Sequence, residues 1–131
     1  MNRMILKSEI HNISLVEKLI DEISAEYKIH TDIYGKLLLA VVEGVNNAIV
    51  HGNKLDKDKD VVLEYQVTNT EIQFSIHDCG TGFDYHNLPD PTLPENLERT
   101  HGRGIFLMNH LADRIEFNDS GNQVSLFFNI A

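Results

Sequence analysis

The middle of the chain contains two neighbouring segments in which apolar and polar residues alternate with a period of two. The apolar positions of these segments are Val61, Leu63, Tyr65, Val67, Ile72, Phe74 and Ile76. Thr68-Asn69-Thr70 lies between them and is composed of residues that favour a turn. The pattern predicts a β-hairpin, and therefore an antiparallel sheet with one apolar face. Such a face has to be covered by a second layer of structure.

Three other segments have apolar residues at a helical period and are predicted to supply that layer. The first helix is expected to begin with a capping box, Ser14-Leu15-Val16-Glu17, and to bury Leu15, Leu19, Ile20 and Ile23. The second is expected to be capped by Thr31 or Asp32 and to end near Gly52-Asn53 in a left-handed cap. The third is expected to open at Gly102-Arg103-Gly104.

The remaining strands are predicted at the two ends of the chain. An opening strand lies between Arg3 and Ile10, and a second hairpin joins Arg114–Phe117 to Val124–Ile130 around Asp119-Ser120-Gly121-Asn122. The predicted fold class is therefore α/β, a two-layer sandwich of about three helices on a mixed, mostly antiparallel sheet.

Length and charge limit the domain count and the classes of ligand. The 131 residues suit a single domain covering residues 1–131, and the formal net charge of −9 disfavours a direct binder of nucleic acid or of an anionic membrane. The lone Cys79 cannot form an internal disulfide, and the longest apolar run, Leu37–Val42, is short for a membrane helix. Met1–Lys7 does not resemble a signal peptide, so a cytoplasmic protein is expected.

Polar residues recur along one side of the second helix. Glu43, Asn47 and His51 are four residues apart, which places them in one narrow stripe. An amide oxygen suits Mg²⁺, and a carboxylate one turn away is able to accept a proton from an attacking hydroxyl group. The alternative is a solvated helix face, with His51 as a residue of the helix end. The pair Asn46-Asn47 weakens that alternative, because asparagine is a mediocre helix former.

Asp78 continues the alternation of Ile72, Phe74 and Ile76, so its carboxylate is predicted to end the inward face of a strand. A carboxylate in that position is suited to accept a hydrogen bond from a ligand amino group, such as that of an adenine. The alternative is an ordinary turn aspartate that caps Cys79-Gly80. Gly80 and Gly82 would let the backbone approach a flat ligand closely.

A second glycine pair, Gly102 and Gly104, is predicted at the start of the third helix, where backbone amides attract phosphate. Arg99 and Arg103 lie beside these glycines and are either surface residues or ligands of a phosphoryl group. The preceding segment from Gly80 to Thr100 contains three prolines and little periodicity, which predicts a long mobile loop of the kind that is either functional or disordered.

The order of these motifs resembles the GHKL ATPase superfamily, and within it the bacterial anti-sigma-factor serine kinases of partner-switching systems. The motifs are Glu43-x-x-x-Asn47-Ala48-x-x-His51, Asp78-x-Gly80-x-Gly82-Phe83 and Gly102-Arg103-Gly104-Ile105. The resemblance implies that Glu43 is the general base, that Asn47 binds Mg²⁺, and that Asp78 recognises adenine. It also implies that His51 and the glycines belong to the ATP site, and that residues 84–101 form an ATP lid.

The resemblance further implies what the protein acts on. Members of this family transfer the γ-phosphoryl group of ATP to a serine or threonine of an antagonist protein, and several hold a sigma factor inactive. A homodimer is the usual assembly of the family. The long loop from Gly80 to Thr100 leaves a second hypothesis open, an ATP-gated protein-binding module with little or no kinase activity.

Overall fold

The computed structural model describes residues 2–80 and 100–131, and these residues form three α-helices and five β-strands. The helices are α1 (Ile13–Glu26), α2 (Thr31–Asn47) and α3 (Thr100–Leu111). The strands are β1 (Asn2–Lys7), β2 (Asp60–Val67), β3 (Glu71–His77), β4 (Arg114–Phe117) and β5 (Gln123–Asn129). A 3₁₀ turn (Ile10–Asn12) precedes α1, and a π-helical turn (Ala48–Gly52) follows α2.

The strands form one sheet in the order β1-β2-β3-β5-β4. The predicted central hairpin is confirmed, since Val67 pairs with Ile72 across Thr68–Thr70. The second hairpin is also confirmed, and its turn includes Gly121 at a φ of 77°, a value that favours glycine. Every strand pair among the described residues is antiparallel. The sheet is therefore antiparallel rather than mixed, because the described strands neighbour one another through hairpins or antiparallel crossovers.

The helices cover one face of this sheet, which confirms the two-layer sandwich. The core between the layers includes Val41 and Val45 of α2, Phe74 and Ile76 of β3, and Met108 of α3. The continuous helical segment Thr31–Gly52 has the length and apolar composition of a membrane span, and 39% of its apolar 18-residue stretch is buried in the fold. Its buried residues pack in the core cluster beneath the sheet, as expected for the central helix of a globular domain.

α1 starts two residues earlier than predicted, with Asn12 in the cap position, and α2 starts one or two residues earlier than predicted. α1 continues directly from the 3₁₀ turn, so Ser14 lies inside the helix and its hydroxyl donates to the His11 carbonyl at 2.9 Å instead of capping. The phase of this helix leaves Leu15 46% exposed and buries Val16 in its place. α2 is capped by His30, whose extended backbone lets Nδ1 accept the Asp32 N–H at 3.2 Å.

The end of α2 and the start of α3 also differ from the expectations. The helical segment ends at Gly52 as predicted, but Gly52 and Asn53 do not form a left-handed cap; Lys54 and Leu55 have the positive φ values, 54° and 59°. The reason is the π-helical turn, in which the Asn53 N–H donates to Ala48 O at 2.8 Å. α3 begins at Thr100, so Thr100 and His101 belong to the helix rather than to the preceding loop.

Candidate active site

One cleft lies where α2, the end of β3, the start of α3 and the β4–β5 turn meet. Its volume is about 260 Å³ including the space that is open to solvent, and Gly44, Asn47, Asp78, Ile105 and Asn122 are among its lining residues. Two of the predicted site residues, Asn47 and Asp78, are thus brought to one cavity although they are far apart in the sequence. Their convergence follows from the packing of α2 across β3.

Glu43 lies one helical turn before Asn47, at the junction of α2 and α3. A Cβ atom built on Gly104 of α3 would lie 3.4 Å from Glu43 Oε2. The two helices approach closely here because Gly44 has no side chain: a Cβ atom on it would lie 2.4 Å from Ile76 Cδ1 and 3.1 Å from Met108 Sδ. The half-buried Glu43 carboxylate is therefore directed at the N-terminal half of α3.

Asp78 follows the last residue of β3, and its carboxylate is half-buried. Oδ1 accepts the Gly80 N–H at 2.7 Å, and the Asp78 N–H donates to Asn122 O at 3.0 Å. Burial raises the pKa of the Asp78 carboxyl above its ordinary value, an effect partly offset by the Gly80 hydrogen bond and the charge of His77. Asp78 thus caps the turn at Cys79-Gly80, as in the alternative interpretation of the sequence, and it also lines the cleft.

Two glycines make the position of Asp78 possible. A Cβ atom on Gly52 would lie 2.4 Å from both Cγ and Oδ2 of Asp78, and one on Gly80 would lie 2.3 Å from the Gly52 carbonyl oxygen. Gly80 was singled out in the sequence as a site of close approach to a ligand; in the structure it closely approaches Gly52 and Asp78. Gly52 was interpreted only as a helix end, and its contact with Asp78 was missed.

His51 lies within the π-helical turn, whereas Glu43 and Asn47 belong to α2 itself. The wider spacing of a π-helical turn changes the direction of His51 relative to a regular helix. Of the three residues of the predicted stripe, Asn47 is among the described residues that line the cleft, and Glu43 and His51 are not. Burial lowers the pKa of its imidazole from the ordinary value of 6.5.

Two asparagines that sequence reasoning did not identify hold the segment around Asp78. The Asn53 side chain is fully buried and accepts the Cys79 N–H on Oδ1 at 2.7 Å. The Asn122 side chain donates to Gly80 O at 3.3 Å. The available signal for Asn53 was a polar residue directly after the apolar helix, but such a residue is also an ordinary helix end.

The remaining predicted site residues precede α3 in the sequence or belong to its first turn. Gly82 and Arg99 lie outside the described residues, as do residues 84–99 of the expected lid. Gly102 and Arg103 belong to the first turn of α3. The described part of the chain contains no group of three or more His, Cys, Asp or Glu side chains placed to hold a metal ion. An amide such as Asn47 instead suits Mg²⁺ that is held chiefly by phosphates and water.

The chain belongs to the family of histidine kinase-like ATPase domains, whose family profile matches residues 6–128. It is 34% identical over 89 residues to an anti-sigma F factor of Clostridium perfringens, a match covering 64% of this chain and 61% of that protein. It is 32% identical over 97 residues to the serine-protein kinase RsbW of Bacillus licheniformis, covering 69% of this chain and 61% of the relative. These findings confirm the resemblance inferred from the motifs.

A solved structure supports the fold assignment. The structure of the RsbU and RsbW domains of Rv1364c from Mycobacterium tuberculosis aligns with a TM-score of 0.61 and 14% identity, over 98% of this chain and 32% of that chain. At this identity the likeness concerns the fold alone. The matches to the two curated relatives span only about three fifths of their length, 61% in each case.

Proposed function

We propose that this protein is an ATP-dependent serine/threonine protein kinase and anti-sigma regulator that phosphorylates an antagonist protein. The observation that carries the proposal is the meeting of Asn47 and Asp78 in one cleft, with Glu43 one turn away against Gly104. The names of the relatives, anti-sigma F factor and serine-protein kinase, support the same activity. A chain of the histidine kinase-like ATPase family has ATP as its expected phosphoryl donor.

The Asp78 end of the cleft is suited to the adenine base. An ionised carboxylate accepts a hydrogen bond from the 6-amino group of adenine, and the apolar side chains of Ile76 and Ile105 line the same cavity. Gly80 fixes one oxygen of Asp78 through its N–H. The base would therefore meet a carboxylate whose orientation is already set before binding.

The Glu43 end is suited to phosphoryl transfer. Asn47 would hold Mg²⁺, which supplies charge neutralisation for the phosphate oxygens, and the backbone amides of the first turn of α3 would face the same phosphates. Arg103, or Arg99, would add positive charge. The Glu43 carboxylate accepts the proton of the substrate hydroxyl group. That oxygen bonds to the γ-phosphorus while the bond to the bridging oxygen breaks and ADP leaves.

The proposed partners are proteins. An antagonist carrying the acceptor serine or threonine is the substrate, and a sigma factor is the second partner. The net charge of −9 argues against direct contact with nucleic acid or a membrane surface and fits a cytoplasmic protein. A homodimer is part of the proposal, and β1 is a fitting contact because it is an edge strand with Ile5 58% exposed.

The test is a phosphorylation assay with Mg-ATP and the candidate antagonist protein. Glu43→Gln keeps the size of the side chain but removes the base, so we expect phosphoserine or phosphothreonine formation to fall by about 100-fold or more. ATP affinity, measured by calorimetry, should stay within about threefold, since Glu43 lies away from the base-binding end.

The matched control is Glu22→Gln, an exposed glutamate of α1, which should behave like the wild type. If the wild type transfers no phosphate while it captures a partner only with a non-hydrolysable ATP analogue, and Glu43→Gln captures it equally well, the protein is an ATP-gated binding module instead. Equal kinase activity in Glu43→Gln and the wild type would exclude Glu43 as the base.

A further inference from the structure

The short segment Asp78–Gly80 has its backbone polar groups tied to two other parts of the chain. The Asp78 N–H donates to the backbone of Asn122 at 3.0 Å, and the Cys79 N–H donates to the Asn53 side chain at 2.7 Å. The Gly80 carbonyl accepts from the Asn122 side chain at 3.3 Å. Three hydrogen bonds to distant parts of the chain restrict the backbone conformation of this short segment. They therefore fix the position of the Asp78 carboxylate at its start.

Asn53 is the most deeply buried part of this arrangement, with 0% exposure. Its Nδ2 donates to Ser8 Oγ at 2.8 Å and to the Asp60 carbonyl at 3.1 Å, while Oδ1 accepts from Cys79. One amide group therefore joins the end of the helical segment to the end of β1, to the start of β2 and to the segment after β3. Because it is fully buried, Asn53 has no direct contact with a ligand in the cleft.

We propose that Asn53 is a positioning residue for recognition of the nucleotide base, acting through the Cys79 N–H to hold the Asp78 carboxylate in place. This inference rests on the proposed function, because it assigns Asn53 to the base-binding end of the same cleft. Asn53 follows directly after Gly52, whose Cα faces the Asp78 carboxylate at a distance that leaves no space for a Cβ atom. Two consecutive residues of one turn thus act on Asp78: Gly52 packs against its carboxylate, and Asn53 binds the N–H of the next residue.

The consequence for specificity follows from geometry. A hydrogen bond weakens steeply when its direction departs from linear, so a carboxylate that turns or shifts loses the adenine amino group while hydrophobic contact with the base persists. The N–H of Cys79 belongs to the peptide group that directly follows Asp78. Among the described residues, the group that accepts a hydrogen bond from this N–H is the Asn53 side-chain amide.

The experiment compares the binding of ATP and ITP by calorimetry, with Mg²⁺ present, to wild-type protein and to Asn53→Ala. ITP carries a carbonyl oxygen where ATP carries the 6-amino group, so the affinity ratio measures the contact with Asp78. We expect Asn53→Ala to weaken ATP binding by about tenfold and ITP binding by less than about threefold, which lowers the ratio. KM for ATP should rise with kcat nearly unchanged, since the Glu43 end is intact.

Ser8→Ala is the control for a purely structural role. It removes one partner of the Asn53 amide and lowers stability in the same network, but it leaves the bond to Cys79 in place. We expect it to keep the wild-type ratio of ATP to ITP affinity. Thermal unfolding of each variant identifies the temperature at which all of them are fully folded, and binding is measured there.

If Asn53→Ala does not yield folded protein, Asn53→Ser provides the test, because its hydroxyl is one bond shorter than the asparagine amide and is withdrawn from the Cys79 N–H, while a polar group stays at the buried position. Ser8→Ala remains its control. A lowered ratio in Asn53→Ala, or in Asn53→Ser when it stands in, supports the proposal.

An unchanged ratio of ATP to ITP affinity in a folded Asn53→Ala protein overturns the positioning role of Asn53. An equal lowering of this ratio in Ser8→Ala does the same. Either result leaves the kinase proposal intact. When Asn53→Ser is the variant tested, an unchanged ratio, or an equal lowering of the ratio in Ser8→Ala, has the same meaning. A wild type that binds neither nucleotide contradicts the proposed function itself, and one that binds ATP and ITP equally contradicts the assignment of Asp78.

Discussion

Both Asp78, which lines the cleft, and Glu43, one helical turn before Asn47, have a glycine of another element facing the carboxylate, but the two carboxylates are held very differently. A Cβ atom on Gly52 would lie 2.4 Å from Asp78 Oδ2, whereas one on Gly104 would lie 3.4 Å from Glu43 Oε2, an ordinary contact. Asp78 accepts a backbone hydrogen bond from Gly80 at 2.7 Å. Among residues 2–80 and 104–131, no hydrogen bond or ion pair of this kind holds the Glu43 carboxylate.

The difference agrees with the tasks that we propose for the two ends. A purine base is rigid and always has the same shape. A carboxylate that is already fixed therefore recognises it without further loss of side-chain entropy on binding. A proton acceptor for a protein hydroxyl has to meet a group delivered by another molecule, so a carboxylate that is less tightly fixed suits that task. Three substitutions test how far this contrast extends, beginning with the one of largest expected effect.

Gly52→Ala should disrupt the Asp78 end. The new methyl group would collide with the Asp78 carboxylate, and because that carboxylate is held by Gly80 and its neighbours, it cannot move without breaking hydrogen bonds. Overpacking of this kind costs about 2 kcal/mol, which corresponds to roughly 30-fold in ATP affinity if it is expressed in the position of Asp78. Calorimetry with Mg-ATP, together with chemical unfolding, measures how the cost divides between binding and stability.

Gly35→Ala is the matched control, since it is the same change in the same helical segment. In the described part of the chain, no atom apart from the neighbouring residues and the helix's own backbone lies within 4 Å of a Cβ atom on Gly35. Alanine in the interior of a helix is favoured over glycine by about 0.5–1 kcal/mol, so this variant should be slightly more stable and bind ATP normally. If Gly52→Ala also bound ATP normally, the Asp78 carboxylate would not be fixed in the way that the contacts indicate.

Gly104→Ala should have a smaller and different effect. Its methyl group fits beside Glu43 at ordinary contact distance, so stability should not fall, and ATP affinity should stay within about twofold. The methyl group nevertheless displaces solvent from the carboxylate and narrows the approach to it. We expect phosphoryl transfer to decrease by about threefold to tenfold, measured as kcat at saturating Mg-ATP. A loss of ATP affinity as large as in Gly52→Ala would remove the contrast between the two ends.

The sequence predicted the fold well because its decisive signals are local. The period of two in residues 61–67 and 72–76 and the turn between them specify a hairpin without knowledge of any other segment. The boundaries were less accurate, since an additional 3₁₀ turn before α1 and a π-helical turn after α2 are not visible in an apolar pattern. A regular helix would place His51 in one stripe with Glu43 and Asn47, and the π-helical turn changes that alignment.

The candidate site was predictable to the extent that it depends on motifs. Asn47 and Asp78 were both identified from their place in a helix and a strand, and the fold brings them to one cleft. The role of Asn53 was not identified, because its side chain contacts Ser8, 45 positions away, and Cys79, 26 positions away. Hydrogen bonds of that separation leave no periodic trace in a single sequence.

The smallest effect is expected from Asp78→Asn on stability. Because burial raises the pKa of this carboxyl above its ordinary value of 3.8, ionising it costs more free energy in the folded protein than in the unfolded chain. The stability from this group is fully present below the ordinary pKa and is lost as pH rises through the raised one. Asparagine has no such loss, so the variant should be more stable at pH 7 by about 0.5 kcal/mol. The gain should shrink towards pH 4 in urea unfolding.

Asp58→Asn, in the exposed connection before β2, controls for the removal of one negative charge. The same Asp78→Asn protein should bind ATP more weakly and distinguish it less from ITP, since an amide is a poorer acceptor than a carboxylate. A gain in stability with a loss of nucleotide recognition is the behaviour of a group retained for binding at a cost to folding. If Asp78→Asn were instead less stable at every pH, its hydrogen bond to Gly80 would outweigh the cost of burying the charge, and Asp78 would be chiefly a turn residue.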